Sequence, residues 1–294
     1  MLQGGISVLL LSLCILPGCR RQDASGAMPD VVASEKIREA FVAGSSGDSE
    51  AAEVSTGTGW ATLKGKFVYD GEAPERAPYN VNKDMEACTI GGKAPLQELL
   101  VVDPTSKGIA NVAIFVRSAS RVHESAQASD GGAKLFDQKE CVFLSHVFPI
   151  VLGTTMQIRN SDPVGHNTNI EGAINQTIPV GTTIDYTPQK EAAVPIGVTC
   201  SIHPWMSAWY LPRKNGYVAV TDKDGNFEIA NLPAGEKLEF QVWHESAGSS
   251  KAILLTTPEA KELKWNKKGR FTVSLAEDEV KELNLTVPPA VFGR

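Results

Sequence analysis

The chain has 294 residues, 42% hydrophobic and 21% charged, with a net charge of −6. That length holds two modest domains and a leader, and the acidic balance argues against nucleic acid as a partner. Beyond the leader no apolar run is long enough for an ordinary spanning helix.

The first element is an export signal. Residues 6–15, Ile-Ser-Val-Leu-Leu-Leu-Ser-Leu-Cys-Ile, form an apolar core of signal-peptide length, too short to span a bilayer stably. Leu16-Pro-Gly-Cys19 follows and resembles a bacterial lipobox. Residues 1–19 thus read as a signal peptide with its lipobox, and the resemblance implies cleavage just before Cys19, which would remain as the lipid-bearing first residue and tether the chain to a membrane. An ordinary signal peptide with an incidental Cys is the plainer alternative. Either way the chain is expected to be exported, to the periplasm or cell envelope. Residues 20–57 are rich in Ser, Gly, Ala and Asp and read as a flexible tether, with one short amphipathic stretch at 34–42.

The fold is expected to begin near Trp60. Alternating or apolar runs at 61–69, 99–102 and 110–117 read as strands, with Gly71-Glu-Ala-Pro74 as a turn. Residues 118–134 are polar and read as a mobile loop. The run from Cys141 to Leu152 resumes the sheet, and 153–160 alternates as a further strand. Helical periodicity is nearly absent. Short strands with regular turns predict an all-β sandwich.

Two loops then carry chemistry. Ser161-Asp-Pro163 breaks the strand, since Pro has no N–H to give a ladder, so His166 in Asn160-Ser-Asp-Pro-Val-Gly-His-Asn167 falls just past a strand end. Downstream, the apolar run at 193–199 delivers Cys200 to the end of another strand. His203 and Met206 follow in Cys200-Ser-Ile-His203-Pro-Trp-Met206. A short loop pinned by paired strands can turn three side chains toward one point. Two imidazoles, one thiolate and a weak axial thioether are the ligand set of a blue-copper electron-transfer centre. Zinc is the rival, but structural zinc sites use four Cys or His ligands and Met is a poor one.

The segment Val198-Thr-Cys-Ser-Ile-His-Pro-Trp-Met206 resembles the ligand loop of the cupredoxins, of the short amicyanin and pseudoazurin-like type, and Gly165-His166-Asn167 resembles their first-histidine motif. The resemblance spans about residues 140–212. It implies one type 1 copper ion held by His166, Cys200, His203 and Met206, with Asn167 bracing the Cys loop. It also implies a Greek-key sandwich over 58–212. After Met206 the chain departs from the small cupredoxins, with Ser207-Ala-Trp-Tyr210 following.

With Cys14 and Cys19 in the leader and Cys200 on the metal, Cys88 and Cys141 remain. In an exported chain the two are expected to form a disulfide. Pro204, Trp205, Trp209 and Tyr210 flank the ligand loop. They read as a hydrophobic lid over the metal, and as a docking surface around the His203 edge for a redox protein partner. His146 reads as a packed, hydrogen-bonded histidine, His244 as structural and His123 as solvated.

Residues 213–294 predict a second, smaller β-sandwich. Residues 217–235 read as a hairpin followed by a tight turn, with Gly225 at positive φ. A strand ends at Gln241-Val-Trp-His-Glu245, and 271–275 and 280–287 supply two more. The run from Thr221 to Gly235 resembles the carboxypeptidase regulatory-like, transthyretin-type domain. The early run Gly65-Lys-Phe-Val-Tyr-Asp-Gly71 could pair into that sandwich instead, making the first one an insertion. Asp222, Asp224 and Asn226 lack the full calcium loop, and turn chemistry accounts for them. The functional expectation is an exported, membrane-tethered electron carrier and not an enzyme, since five histidines are too few for a multicopper oxidase. A copper delivery or storage protein is the first alternative. A surface carbohydrate-binding or adhesion sandwich with a vestigial copper site is the second.

Overall fold

A computed structural model describes residues 59–128 and 132–293, all within one compact unit, Glu53–Arg294. The predicted signal peptide, the lipid-bearing Cys19 and the tether lie outside the described residues. Among the described residues no helix is long and apolar enough to cross a membrane.

Regular structure among the described residues is mostly strand, with only short helical turns. In order these are β1 (Trp60–Tyr69), β2 (Ala113–Val116), β3 (Ala133–Lys139), β4 (Val142–Phe143), β5 (Val147–Val151), β6 (Thr155–Asn160), β7 (His166–Ile170), β8 (Ile174–Ile178), β9 (Thr183–Tyr186), β10 (Ile196–Thr199), β11 (Ser207–Arg213), β12 (Val218–Val220), β13 (Asn226–Pro233), β14 (Lys237–Trp243), β15 (Arg270–Ser274) and β16 (Val280–Val287).

Strands β3 to β11 build one sandwich. One of its sheets runs β5-β11-β10-β7-β8 and the other β4-β3-β6-β9. Inward residues such as Phe136, Phe143, Phe148, Met156, Ile158, Val198 and Tyr210 fill the space between them. The second sandwich has a sheet β13-β1-β16 against a sheet β12-β2-β14-β15. Its core holds Leu63, Phe67, Ile114, Phe240, Phe271 and Leu285.

This pairing moves the expected boundary at residue 58. β1 pairs with β13 and, in parallel, with β16, and β2 pairs with β12 and β14. Both strands therefore belong to the C-terminal sandwich, which the chain leaves after β2 and rejoins at β12. The β1–β16 approach is close enough that a Cβ on Gly65 would lie 1.9 Å from the Leu283 carbonyl oxygen, which is why that position is glycine. The expected hairpin over 217–235 is instead a corner, since β12 and β13 join different sheets. Its turn is as expected. Asp222 Oδ1 accepts from the N–H groups of Asp224 and Asn226, both at 2.9 Å, and Gly225 sits at φ 81.

The sandwiches meet through Ala113, Phe115, Val147, Leu211 and Trp243, with Trp209 and Trp243 in edge contact at 4.9 Å. A long strap, residues 71–99, leaves β1 and carries the short helix α1 (Met85–Cys88). It folds back on itself through bridges Pro78↔Leu96 and Ile90↔Lys93. The strand expected at 99–102 reduces to a single bridge at Val102, and Leu99 is half exposed.

The strap is fastened to the first sandwich by the Cys88–Cys141 disulfide, as the cysteine count led one to expect. Among the described residues Cys200 is the free cysteine, and it is buried.

Candidate metal centre

Antiparallel pairing of β7 with β10, and of β10 with β11, brings the start of β7, the end of β10 and the start of β11 to one end of the sheet. His166 opens β7, Cys200 follows the last residue of β10, and His203 and Met206 lie in the loop before β11. One ring nitrogen each of His166 and His203 and the Cys200 sulfur lie within 4.8 Å of one another, all three residues being buried.

The two Nδ1 atoms face each other at 2.9 Å, and Cys200 Sγ is 4.0 Å from His203 Nδ1. Both outward Nε2 atoms meet carboxylates: Asp162 Oδ2 at 2.7 Å from His166, and Asp84 Oδ2 at 2.8 Å from His203. If both Nε2 atoms donate their protons outward, two Nδ1 lone pairs and a sulfur converge on one dry point. A cation at that point would relieve the convergence, and the soft and borderline donors fit copper.

Met206 is buried in the same apolar cluster as Cys200. Backbone hydrogen bonds close its loop, from Met206 N–H to the His203 carbonyl at 3.0 Å and from Cys200 N–H to the Met206 carbonyl at 3.4 Å. Asn167 ties the two ligand loops together. Its N–H points at Cys200 Sγ (3.3 Å), and its Oδ1 accepts from Ser201 N–H (3.3 Å) and Ser201 Oγ (2.8 Å).

The electrostatics favour a thiolate. Burial pushes the Cys200 thiol up, but the neighbouring His166 and the N–H groups of Asn167, His203 and Ile202 outweigh it, and the net shift is downward. Burial likewise disfavours a charged His166, yet its hydrogen bond to Asp162 and the adjacent Cys200 raise it. His203 goes the other way. Burial and the nearby His166 lower it despite Asp84.

The flanking residues divide. Trp205 packs tilted against His203, with ring centroids 5.1 Å apart and planes 53° apart, and donates its Nε1–H to the Cys141 carbonyl at 3.1 Å. Pro204 is exposed. Tyr210 is packed in the core of the first sandwich, and Trp209 lies between the two sandwiches. The His203 edge, expected to lie at a docking surface, is itself covered. His203 is 0% exposed, because the strap lies over it. His123, expected to be solvated, packs edge-on against Trp60 at 4.8 Å.

Sequence reasoning missed both carboxylates. Asp162 stands four residues before His166 in the very run that flags the ligand. Asp84 stands four before Cys88, so the expected disulfide was the signal that could have led to it. His146, expected to be hydrogen-bonded, lies between Glu245, which contacts its Nε2, and Glu98, 3.4 Å from its Nδ1.

No family model and no curated protein matches the chain. Solved structures do resemble part of it. Amicyanin from Paracoccus versutus aligns over 34% of this chain and 97% of its own, at 16% identity and a TM-score of 0.25. A purple cupredoxin from Nitrosopumilus maritimus aligns over 28% of this chain and 99% of its own, at 18% identity and a TM-score of 0.25.

Proposed function

We propose that the chain is a type 1 copper protein that carries single electrons. The observation that supports this most is the convergence of His166 Nδ1, His203 Nδ1 and Cys200 Sγ on one buried point, with both Nε2 atoms occupied by carboxylates. His166, Cys200 and His203 would hold the ion, with Met206 as the weak axial ligand. The ion supplies a one-electron Cu(I)/Cu(II) couple. The protein's part is rigidity. The Asn167 tie and the closed 200–206 loop fix the donor atoms, so either oxidation state meets nearly the same geometry. Packing by Ile202, Val164 and Trp205 keeps water away, and with hydrogen bonding to the Cys sulfur it sets the potential.

Burial favours an electron carrier over a delivery protein. Handing on an ion requires an open ligand, whereas the four proposed ligands are between 0% and 2% exposed. Export, a lipid anchor at Cys19, a redox protein as partner and the absence of catalysis belong to the same proposal. So does the reading of the C-terminal sandwich as a transthyretin-type domain.

Met206→Leu tests the carrier reading. Copper should stay bound, since three strong ligands remain, while the reduction potential moves because the axial donor tunes it. Loss of copper with no measurable redox couple would favour delivery instead.

A further inference from the structure

We propose that Asp84 is a positioning residue of the metal centre: carried in by the strap, it holds the Nε2–H of His203 and closes that imidazole edge from solvent. The inference rests on the copper reading above.

Asp84 Oδ2 lies 2.8 Å from His203 Nε2 across 119 residues of sequence. Asp84 is also the N-cap residue of α1. An Asp there ordinarily accepts a hydrogen bond from the first turn. Its side chain makes no such bond, and its carbonyl alone takes the N–H groups of Ala87 and Cys88. Its backbone is left-handed, at φ 47 and ψ 41, an uncommon conformation for a residue other than glycine, though one that Asp tolerates. The forgone cap and the unusual backbone both leave the carboxylate pointing at His203.

The strap is held there from behind. The Cys88 and Cys141 sulfurs and a His203 ring nitrogen lie within 4.8 Å of one another, so the disulfide sits directly beside the ligand it helps to cover. The loop that closes the first sandwich's metal site thus comes from a segment whose two ends are anchored in the second sandwich.

A carboxylate on the N–H of a ligating imidazole fixes its tautomer and raises its donor strength. Stronger donation favours Cu(II) over Cu(I) and lowers the reduction potential. Losing such a partner typically costs 10- to 100-fold in metal affinity.

The test uses the full chain, its Asp84→Ala and Asp84→Asn variants, and chelator competition for Cu(II) and Cu(I) separately. Asp84→Ala should weaken Cu(II) about tenfold or more, and Cu(I) less. Each tenfold loss of selectivity raises the potential by about 59 mV. Asp84→Asn, which keeps an acceptor without the charge, should fall between. Replacing Cys88 and Cys141 by Ala should shift selectivity the same way, and adding Asp84→Ala should then change little more.

A copper-free readout separates this inference from the copper reading. Ring ¹⁵N NMR at mildly alkaline pH should show His203 as the Nε2–H tautomer in the native chain and as a mixture in Asp84→Ala. A native chain that binds no copper through Cys200 would sink the copper reading, while the tautomer would still decide whether Asp84 positions His203. An unchanged tautomer together with an unchanged Cu(II)-to-Cu(I) affinity ratio in Asp84→Ala would overturn the inference.

Discussion

Replacing Cys88 and Cys141 together by alanine should lower the stability of the copper-free protein by about 4 kcal/mol, the loop-closure value for a bridge of this span. The two cysteines are 53 residues apart, so the bridge removes considerable freedom from the unfolded chain. In the folded chain it joins the strap to Cys141, between β3 and β4 of the first sandwich. Both residues are buried, so alanine also forfeits packed sulfur in the cluster that contains Cys200 and Met206. Chemical denaturation of the native and double-alanine chains measures the effect. A midpoint unchanged at equal slope would mean that the strap is held by its other contacts alone.

His146→Ala should cost a further 3–5 kcal/mol, roughly the range for breaking a buried ion pair by removing one partner. His146 is 4% exposed, and Glu245, contributed by the other sandwich, is 9% exposed. The Glu245 carboxylate also accepts the Trp209 Nε1–H at 3.0 Å. Removing the imidazole would leave Glu245 buried with that one neutral donor. The pH dependence has a definite sign. Burial disfavours the imidazolium, but hydrogen bonds to Glu245 and Glu98 and their charges prevail and push His146 up to about 9, against 6.5 for an unperturbed histidine. A group raised in the folded state stabilises fully below its unfolded value, and that contribution is lost as pH rises through the folded one. At about 1.4 kcal/mol per pH unit, the native chain should lose about 3 kcal/mol from this site between pH 6.5 and 9. The alanine variant should lack that fall. Parallel pH profiles for the two proteins would contradict the charged clamp.

The legible parts of the molecule were those encoded locally. Cys200, His203 and Met206 share one short loop, and His166, just past a proline-broken strand, was joined to them by the ligand set and by the likeness of both loops to those of the cupredoxins. The Cys88–Cys141 pair followed from counting cysteines in a chain expected to be exported. Partners distant in sequence were not legible. Alternation in β1, with Leu63, Phe67 and Tyr69 buried, shows that one face is covered but carries no mark of β13 and β16 as neighbours. The Glu245 that holds His146 is 99 residues away, and nothing near either residue announces the other. Asp84 is similar. On sequence it is one more polar residue in the stretch before Cys88, and only the fold turns it toward His203. The corner between β12 and β13 was misread as a hairpin because its turn residues serve both structures equally.

The most direct measurement is the visible absorption spectrum of the purified protein after addition of one equivalent of Cu(II). Convergence of the Cys200 thiolate with His166 and His203 on the ion should give an intense charge-transfer band toward the red end, bleached by ascorbate. A colourless protein, or one that binds copper without that band, would mean that the thiolate and the two imidazoles do not share a metal, and the type 1 copper function would fall.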